Sequence, residues 1–321
     1  MREALAEYLR THRGLRCRPD QIVVTNGSQQ ALDLVSRVLI NPGDRVAIEE
    51  PHYPGARDVF RAAGARLVAV PVDGEGLAVD TLARGPRSAR LAFVTPSHQF
   101  PTGAVMSLSR RLALLSWAAK AGAYVVEDDY ESEYRYTHRP VEAIQGLDRH
   151  GRVVYLGTLS RMLFPALRLG YLVLPELLVP AFRAAKWYAD RHTPTFLQEV
   201  LARFIGDGHF ERHVRRARAM VARRCDTLLE ALRGHFGHGV SWSGSDPGLH
   251  LLIWLHGLRP GKPLDALIAR AARVGVGIYP ATGCFLTPPK RAALLLGYAG
   301  LDESEIREGI ERLARVAGLP T

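Results

Sequence analysis

The side chains best suited to chemistry lie in five short loops. The segment Glu127-Asp128-Asp129-Tyr130-Glu131-Ser132-Glu133 sets carboxylates directly behind a short apolar run, an arrangement that is costly unless a cation neutralises them. A metal is one such cation, but no histidine pair at ligand spacing accompanies the cluster. A second segment, Leu156 to Tyr171, brings two hydroxyls (Thr158, Ser160) and two arginines (Arg161, Arg168) around a turn. Hydroxyls beside guanidinium forks suit a phosphate ester. In Thr25-Asn26-Gly27-Ser28-Gln29-Gln30, Gly27 permits close backbone approach and Ser28 opens a helix, so the loop reads equally as an anion site or as a plain N-cap. Glu50-Pro51-His52-Tyr53-Pro54-Gly55 offers an aromatic ring at a strand end, where a structural tyrosine is the default. Thr95 to Gly103 carries two prolines, a glycine and small polar residues; it suits ligand positioning or a packed crossover turn.

These loops need a scaffold, and the apolar patterning supplies one. Short strand-like runs (22–25, 45–48, 66–70, 91–95, 123–127, 153–156, 169–174) alternate with helical patterns (28–39, 55–63, 107–120). Such alternation predicts an α/β fold with a mostly parallel sheet covered by helices on both faces, its ligands at the strands' C-terminal ends. After Pro175 helices dominate as far as Leu232. A smaller α+β section follows, with strands near 249–254, 276–279 and 293–296 and a last helix, Glu303 to Ala317, behind Asp302. The division expected is a large domain over 1–200 and a small one over 201–321.

Composition narrows the partners. The chain has 321 residues, 47% of them hydrophobic, enough for a large core. Three scattered cysteines (Cys17, Cys225, Cys284) form no disulfide framework or paired zinc site, which predicts a reducing, cytoplasmic setting. The longest apolar stretch, Tyr171 to Phe182, is broken by Pro175, Glu176 and Pro180, so no membrane span is expected. The net charge of +10 comes from 38 arginines and four lysines. That bias reads as a compositional habit, and the basic run Glu211 to Arg224 as a solvated helix and not a nucleic-acid contact.

In this order and spacing, GSQQALDL, PSHQFPTG, EDDYESEYRY and GTLSRMLFPALRLGY resemble the fold type I, aminotransferase class I/II family of pyridoxal-phosphate enzymes. The nearest resemblance is to the aminotransferase-like domain of MocR-type regulators in the GntR family. The resemblance implies pyridoxal 5'-phosphate as cofactor, an amino acid or amine as small-molecule ligand, and a homodimer. It implies that Asp128 faces the pyridine nitrogen, Tyr130 the phenolic oxygen and Tyr53 the ring face. Gly27, Ser28, Gln29, Thr158, Ser160 and Arg168 would surround the phosphate.

The sequence departs from that pattern in three places. The Schiff-base lysine of the family's G-T-x-S-K motif is replaced by Arg161, whose guanidinium stays protonated and has no amine to condense with an aldehyde. Transamination is therefore expected to be lost or greatly slowed, with any cofactor held non-covalently. Leu295 takes the place of a carboxylate-binding arginine, with Arg291 nearby in sequence. The sequence also starts inside the family pattern, so an N-terminal arm and a winged helix-turn-helix are expected to be absent, and with them direct DNA binding.

Overall fold

A computed structural model describes residues 1–84, 89–134, 142–244 and 248–318. Arg135 and Tyr136, the end of the EDDYESEYRY motif, lie outside the described residues. The chain opens with α1 (Arg2–Arg13), then β1 (Ile22–Thr25), α2 (Ser28–Leu39), β2 (Arg45–Glu50), α3 (Pro54–Ala62), β3 (Arg66–Asp73), the short β4 (Gly76–Leu77) and α4 (Val79–Arg84). It continues through β5 (Leu91–Val94), α5 (Leu108–Ala121), β6 (Tyr124–Asp129), α6 (Ile144–Leu147), β7 (Val153–Thr158) and β8 (Gly170–Val173). Helices α7 (Val179–Asp190), α8 (Thr195–Gly206) and α9 (His209–Phe236) follow. The last part comprises β9 (Val240–Trp242), β10 (His250–Leu255), α10 (Lys262–Arg273), β11 (Tyr279–Pro280), β12 (Ala292–Gly297) and α11 (Glu303–Ala317).

The first eight strands form one mixed sheet in the order β1-β8-β7-β6-β5-β2-β3-β4. Its centre, from β7 through β6, β5 and β2 to β3, is parallel. Strands β5, β6 and β7 are buried along their whole length, as expected of parallel strands covered on both faces. The antiparallel β8 joins this core to β1. Its register sets Gly170 opposite both Thr25 and Thr158, so the loop after β1 lies beside the loop after β7. A Cβ on Gly170 would stand about 3.0 Å from the backbone of Gly27 and 3.1 Å from the Gly157 carbonyl. Only glycine lets the two loops approach that closely.

Strands β9 to β12 form a second, antiparallel sheet. Buried side chains of α9, α10 and α11 pack in one apolar core with Leu251, Ile253 and Leu255 of β10, and α1 adds Leu5, Ala6 and Leu9 to that core. Helix α11 begins as the sequence indicates, with an Asp302/Glu305 capping box. The basic run lies within α9. Val214, Ala217 and Val221 face the core while Arg215, Arg216, Arg218 and Arg223 are exposed. Among the described residues no helix is long and apolar enough to cross a membrane.

One buried ion pair ties α1 to the central sheet. Arg13 Nε and Nη2 donate to Asp129 Oδ2 at 3.0 and 2.5 Å, and the Tyr155 hydroxyl donates to the same oxygen at 2.5 Å. Burial alone would push the Asp129 carboxyl up, but the Arg13 guanidinium and the Tyr155 hydroxyl hold it below the usual carboxylate range. Arg13→Ala leaves that charge buried without its cation, which costs about 3–5 kcal/mol. A matching drop in the denaturant midpoint extrapolation is expected; a loss below about 1 kcal/mol would mean that water or a neighbour replaces the guanidinium.

Candidate active site

The C-terminal ends of β2, β5, β6 and β7 and the start of α2 open on one cavity of about 260 Å³. Ser28, Gln29, Tyr53, Asp128, Tyr130, Thr158, Ser160, Arg161 and Arg168 all line it. Residues separated by up to 140 positions are thereby brought together. Gly27 stands behind the wall: its φ is +80°, and a Cβ there would meet the Arg168 guanidinium at 2.8 Å. Thr95, Phe100 and Pro165 complete the lining. Sequence reasoning flagged the Thr95 to Gly103 loop without assigning these two of its side chains; a buried strand followed by Thr-Pro was the available signal.

One end of the cavity is built for an anion. Helix α2 starts at Ser28 behind Gly27, which stands at φ +80° and has no side chain to cap it, so the helix's first N–H groups have no intrahelical partner, and Ser28 and Gln29 at that start line the cavity. Arg168 adds a guanidinium from a left-handed backbone position, φ 47°, and its Nη2 donates to the Asn26 carbonyl at 3.4 Å. Across from it, Thr158 Oγ1 accepts the Ser160 N–H at 3.2 Å, and Ser160 Oγ accepts the Leu169 N–H at 3.2 Å. These bonds close the turn that places both hydroxyls on the wall.

The same cavity also holds a buried acid and a phenol. Asp128 is the second-last residue of β6 and its register partner is Leu156. Its Oδ1 is buried with no hydrogen-bond partner among the described residues, and the same holds for the Tyr130 hydroxyl. Burial, and then the neighbouring Asp129 charge, push the Asp128 carboxyl up to about 8, against the pull of Arg161. Burial likewise drives the Tyr130 phenol up, assisted by Glu131. Among the described residues neither group has its natural partner, a cationic N–H for the acid and a polar oxygen for the phenol.

Tyr53 projects from the loop after β2, held by the Gln29 Nε2 donor at 3.0 Å from its hydroxyl and by an edge contact with Phe100 at 5.5 Å. The Arg161 guanidinium lies 5.9 Å from the Tyr130 ring centroid. No lysine is among the lining residues. Lys186 comes nearest in the bonding network, and its amine is committed to Gln30 at 3.0 Å and Asp190 at 2.5 Å. Leu295 sits on β12 among apolar neighbours such as Leu252, Ala281 and Ala293. Arg291 is exposed just before that strand, and neither residue lines the cavity.

A family model for aminotransferase class I and II matches residues 1–313. The chain belongs to this family. It is 41% identical over 98% of its length to the probable rhizopine catabolism regulatory protein MocR of Rhizobium meliloti, of which it covers 62%. It is 32% identical to aromatic-amino-acid aminotransferase 1 of Thermococcus litoralis, over 98% of this chain and 76% of that one. Among solved structures, the Pyrococcus horikoshii kynurenine aminotransferase in complex with PMP aligns at a TM-score of 0.89 and 33% identity, covering 98% of this chain and 79% of that one. The chain thus spans somewhat under two thirds of the length of the curated regulators it resembles. The α/β architecture and the aminotransferase-class resemblance read from sequence are both met, and pyridoxal 5'-phosphate is the cofactor the family brings.

Proposed function

We infer that this chain is a pyridoxal-phosphate-binding aminotransferase-class domain that holds its cofactor without a covalent bond and is impaired in transamination. The observation that carries the reading is that two orphaned polar atoms, Asp128 Oδ1 and the Tyr130 hydroxyl, share one cavity with the hydroxyls, guanidinium and helix start of an anion cradle. A heteroaromatic ring with a basic nitrogen, a phenolic oxygen and a phosphate arm fits all three. When bound, the cofactor supplies an electron sink for chemistry at an amino acid's α-carbon.

The chain's own residues would do the rest. Asp128 holds a proton at the ring nitrogen, Tyr130 donates to the phenolic oxygen, and Tyr53 flanks the ring. Gly27, Ser28, Gln29, Thr158, Ser160 and Arg168 bind the phosphate through N–H, hydroxyl and guanidinium donors. Arg161, where the family pattern has its lysine, keeps a fixed positive charge on the wall but neither condenses with an aldehyde nor moves a proton at neutral pH. Leu295 offers no charge to a substrate carboxylate.

The regulator similarity supports a second role for the same site, in which an amino acid or amine is sensed by a domain of a MocR-type transcriptional regulator and not turned over. We read the chain as cytoplasmic, as divided near residue 200 and as a homodimer. Exposed Phe164, Trp187, Tyr188, Phe196, Leu197 and Val200 support a second copy as the partner, because so many large apolar side chains seldom face water singly.

Mixing the protein with pyridoxal phosphate, then treating it with borohydride and mapping peptides by mass spectrometry, tests the central reading. Saturable binding with no reduced adduct at any lysine is expected. A stoichiometric lysine adduct, or rapid amino transfer to a keto acid, would overturn it.

A further inference from the structure

Next to the phosphate cradle lies a half-buried network with no part of its own in the cavity. Asp190, at the end of α7, accepts two amide donors through Oδ2, Asn26 Nδ2 at 2.6 Å and Gln30 Nε2 at 2.7 Å. Gln30 Oε1 in turn accepts the backbone N–H of Asn26 at 2.8 Å and Lys186 Nζ at 3.0 Å. Lys186 closes the ring on both oxygens of Asp190, at 2.5 and 2.7 Å. Three residues further on, Thr193 Oγ1 donates to the Val24 carbonyl at 3.3 Å, fixing the same segment to β1. Four of these bonds involve Asn26 or Gln30, the residues that flank Gly27, Ser28 and Gln29.

We propose that Asp190 and Lys186 are positioning residues for phosphate recognition, setting the turn at Asn26-Gly27 so that the start of α2 presents its N–H groups to the phosphate. A carboxylate so close to an anion site would by itself repel the ligand. Lys186, buried and paired to it, cancels that charge, so the network supplies geometry with little net field. Gly27 lies at φ +80°, and a Cβ there would stand 2.8 Å from the Arg168 guanidinium, so the turn set by these bonds packs directly against that arginine. The proposal rests on the cofactor reading above, but it concerns only the phosphate end of the cavity.

The test compares three probes, pyridoxal phosphate, pyridoxal and inorganic phosphate, each titrated into the wild type, Asp190→Ala, Asp190→Asn and Asn26→Ala and followed by intrinsic fluorescence and thermal shift. Asp190→Ala should weaken pyridoxal phosphate and inorganic phosphate at least tenfold while pyridoxal changes less than twofold. Asp190→Asn keeps an acceptor for the two amides and should recover most of the loss. Asn26→Ala removes one tether, leaves the Lys186–Asp190 pair intact and should give a smaller loss in the same direction, which keeps the test decisive if Asp190→Ala does not fold. Equal weakening of pyridoxal and its phosphate, or a lower melting temperature with unchanged affinity ratios, would make the network merely structural and overturn the proposal. Failure of the wild type to bind any of the probes would instead overturn the cofactor reading, and the proposal with it.

Discussion

Arg161→Lys creates a covalent cofactor site: pyridoxal phosphate added to this variant becomes fixed to residue 161 by borohydride, and amino transfer to a keto acid rises on the order of 100-fold or more above the parent. The size follows from two losses that the arginine imposes at once. A guanidinium offers no primary amine to the aldehyde, and its proton stays in place at any physiological pH, so nucleophilic and general-base roles disappear together. General acid–base catalysis alone contributes roughly 10²–10⁴-fold. The surroundings favour recovery. Residue 161 lines the cavity with the Tyr130 ring centroid 5.9 Å from the present guanidinium, and Asp128, Thr158 and Ser160 line the same cavity. A lysine there would be partly removed from water, which lowers its pKa toward the working range. The checks are absorbance of the mixed cofactor and protein, peptide mapping after reduction, and a coupled keto-acid assay. A covalent adduct without turnover would locate the remaining defect at substrate recognition. Neither adduct nor turnover would refute a site silenced at one position.

The cavity's membership was legible because each contributor sits where a local pattern breaks. Ser28, Tyr53, Asp128 and Thr158 each follow or end a short apolar strand, and polar residues at such places signal a ligand edge once the sheet is recognised as parallel. Helix α2 kept its sequence-read bounds because Ala31, Leu32, Leu34, Val35 and Leu39 repeat with helical spacing and are all buried. The features missed are non-local. Arg13 and Asp129 are 116 residues apart, Lys186 and Gln30 are 156 apart, and nothing in either local sequence announces the other. Strand β9, Val240–Trp242, is too short to show a period. The antiparallel direction of β8, which brings Gly170 against both Thr25 and Thr158, depends on how the chain turns at Pro165 to Arg168, and strand patterning does not encode direction. Phe100 was hidden for a related reason: its contacts with Tyr53, Tyr130 and His250 come from three other loops and strands.

The buried acid Asp128 gives the second large effect. With nothing bound, Asp128→Asn should stabilise the protein at pH 8 and leave it little changed near pH 4, while weakening pyridoxal phosphate on the order of 100-fold. The folded state holds the Asp128 proton up to about pH 8, whereas the unfolded chain gives it up near the ordinary aspartate value, about 3.9. Between those limits the folded state binds more protons than the unfolded one, so stability falls as pH rises, by about 1.4 kcal/mol for each unit. The penalty is complete above pH 8 and absent below both values. Asparagine never ionises, and its carbonyl occupies the same place, so the difference between the two melting curves should widen steadily from pH 4 to 8. Buried Glu49 and Glu127 are also pushed up, each to about 7. They are present in both proteins, so the comparison largely removes them. A protonated ring nitrogen reverses the argument, because it provides the cation that Asp128 lacks and turns a destabilising carboxylate into one half of a buried charge-assisted pair. Cofactor-induced stabilisation of the wild type should therefore be greater at pH 8 than at pH 6, and asparagine should abolish that pH dependence together with most of the affinity. A cofactor-induced shift of the same size at both pH values would show that Asp128 does not meet the ring nitrogen. A larger shift at pH 8 would tie the stability lost at Asp128 to the cation that the proposed ligand brings.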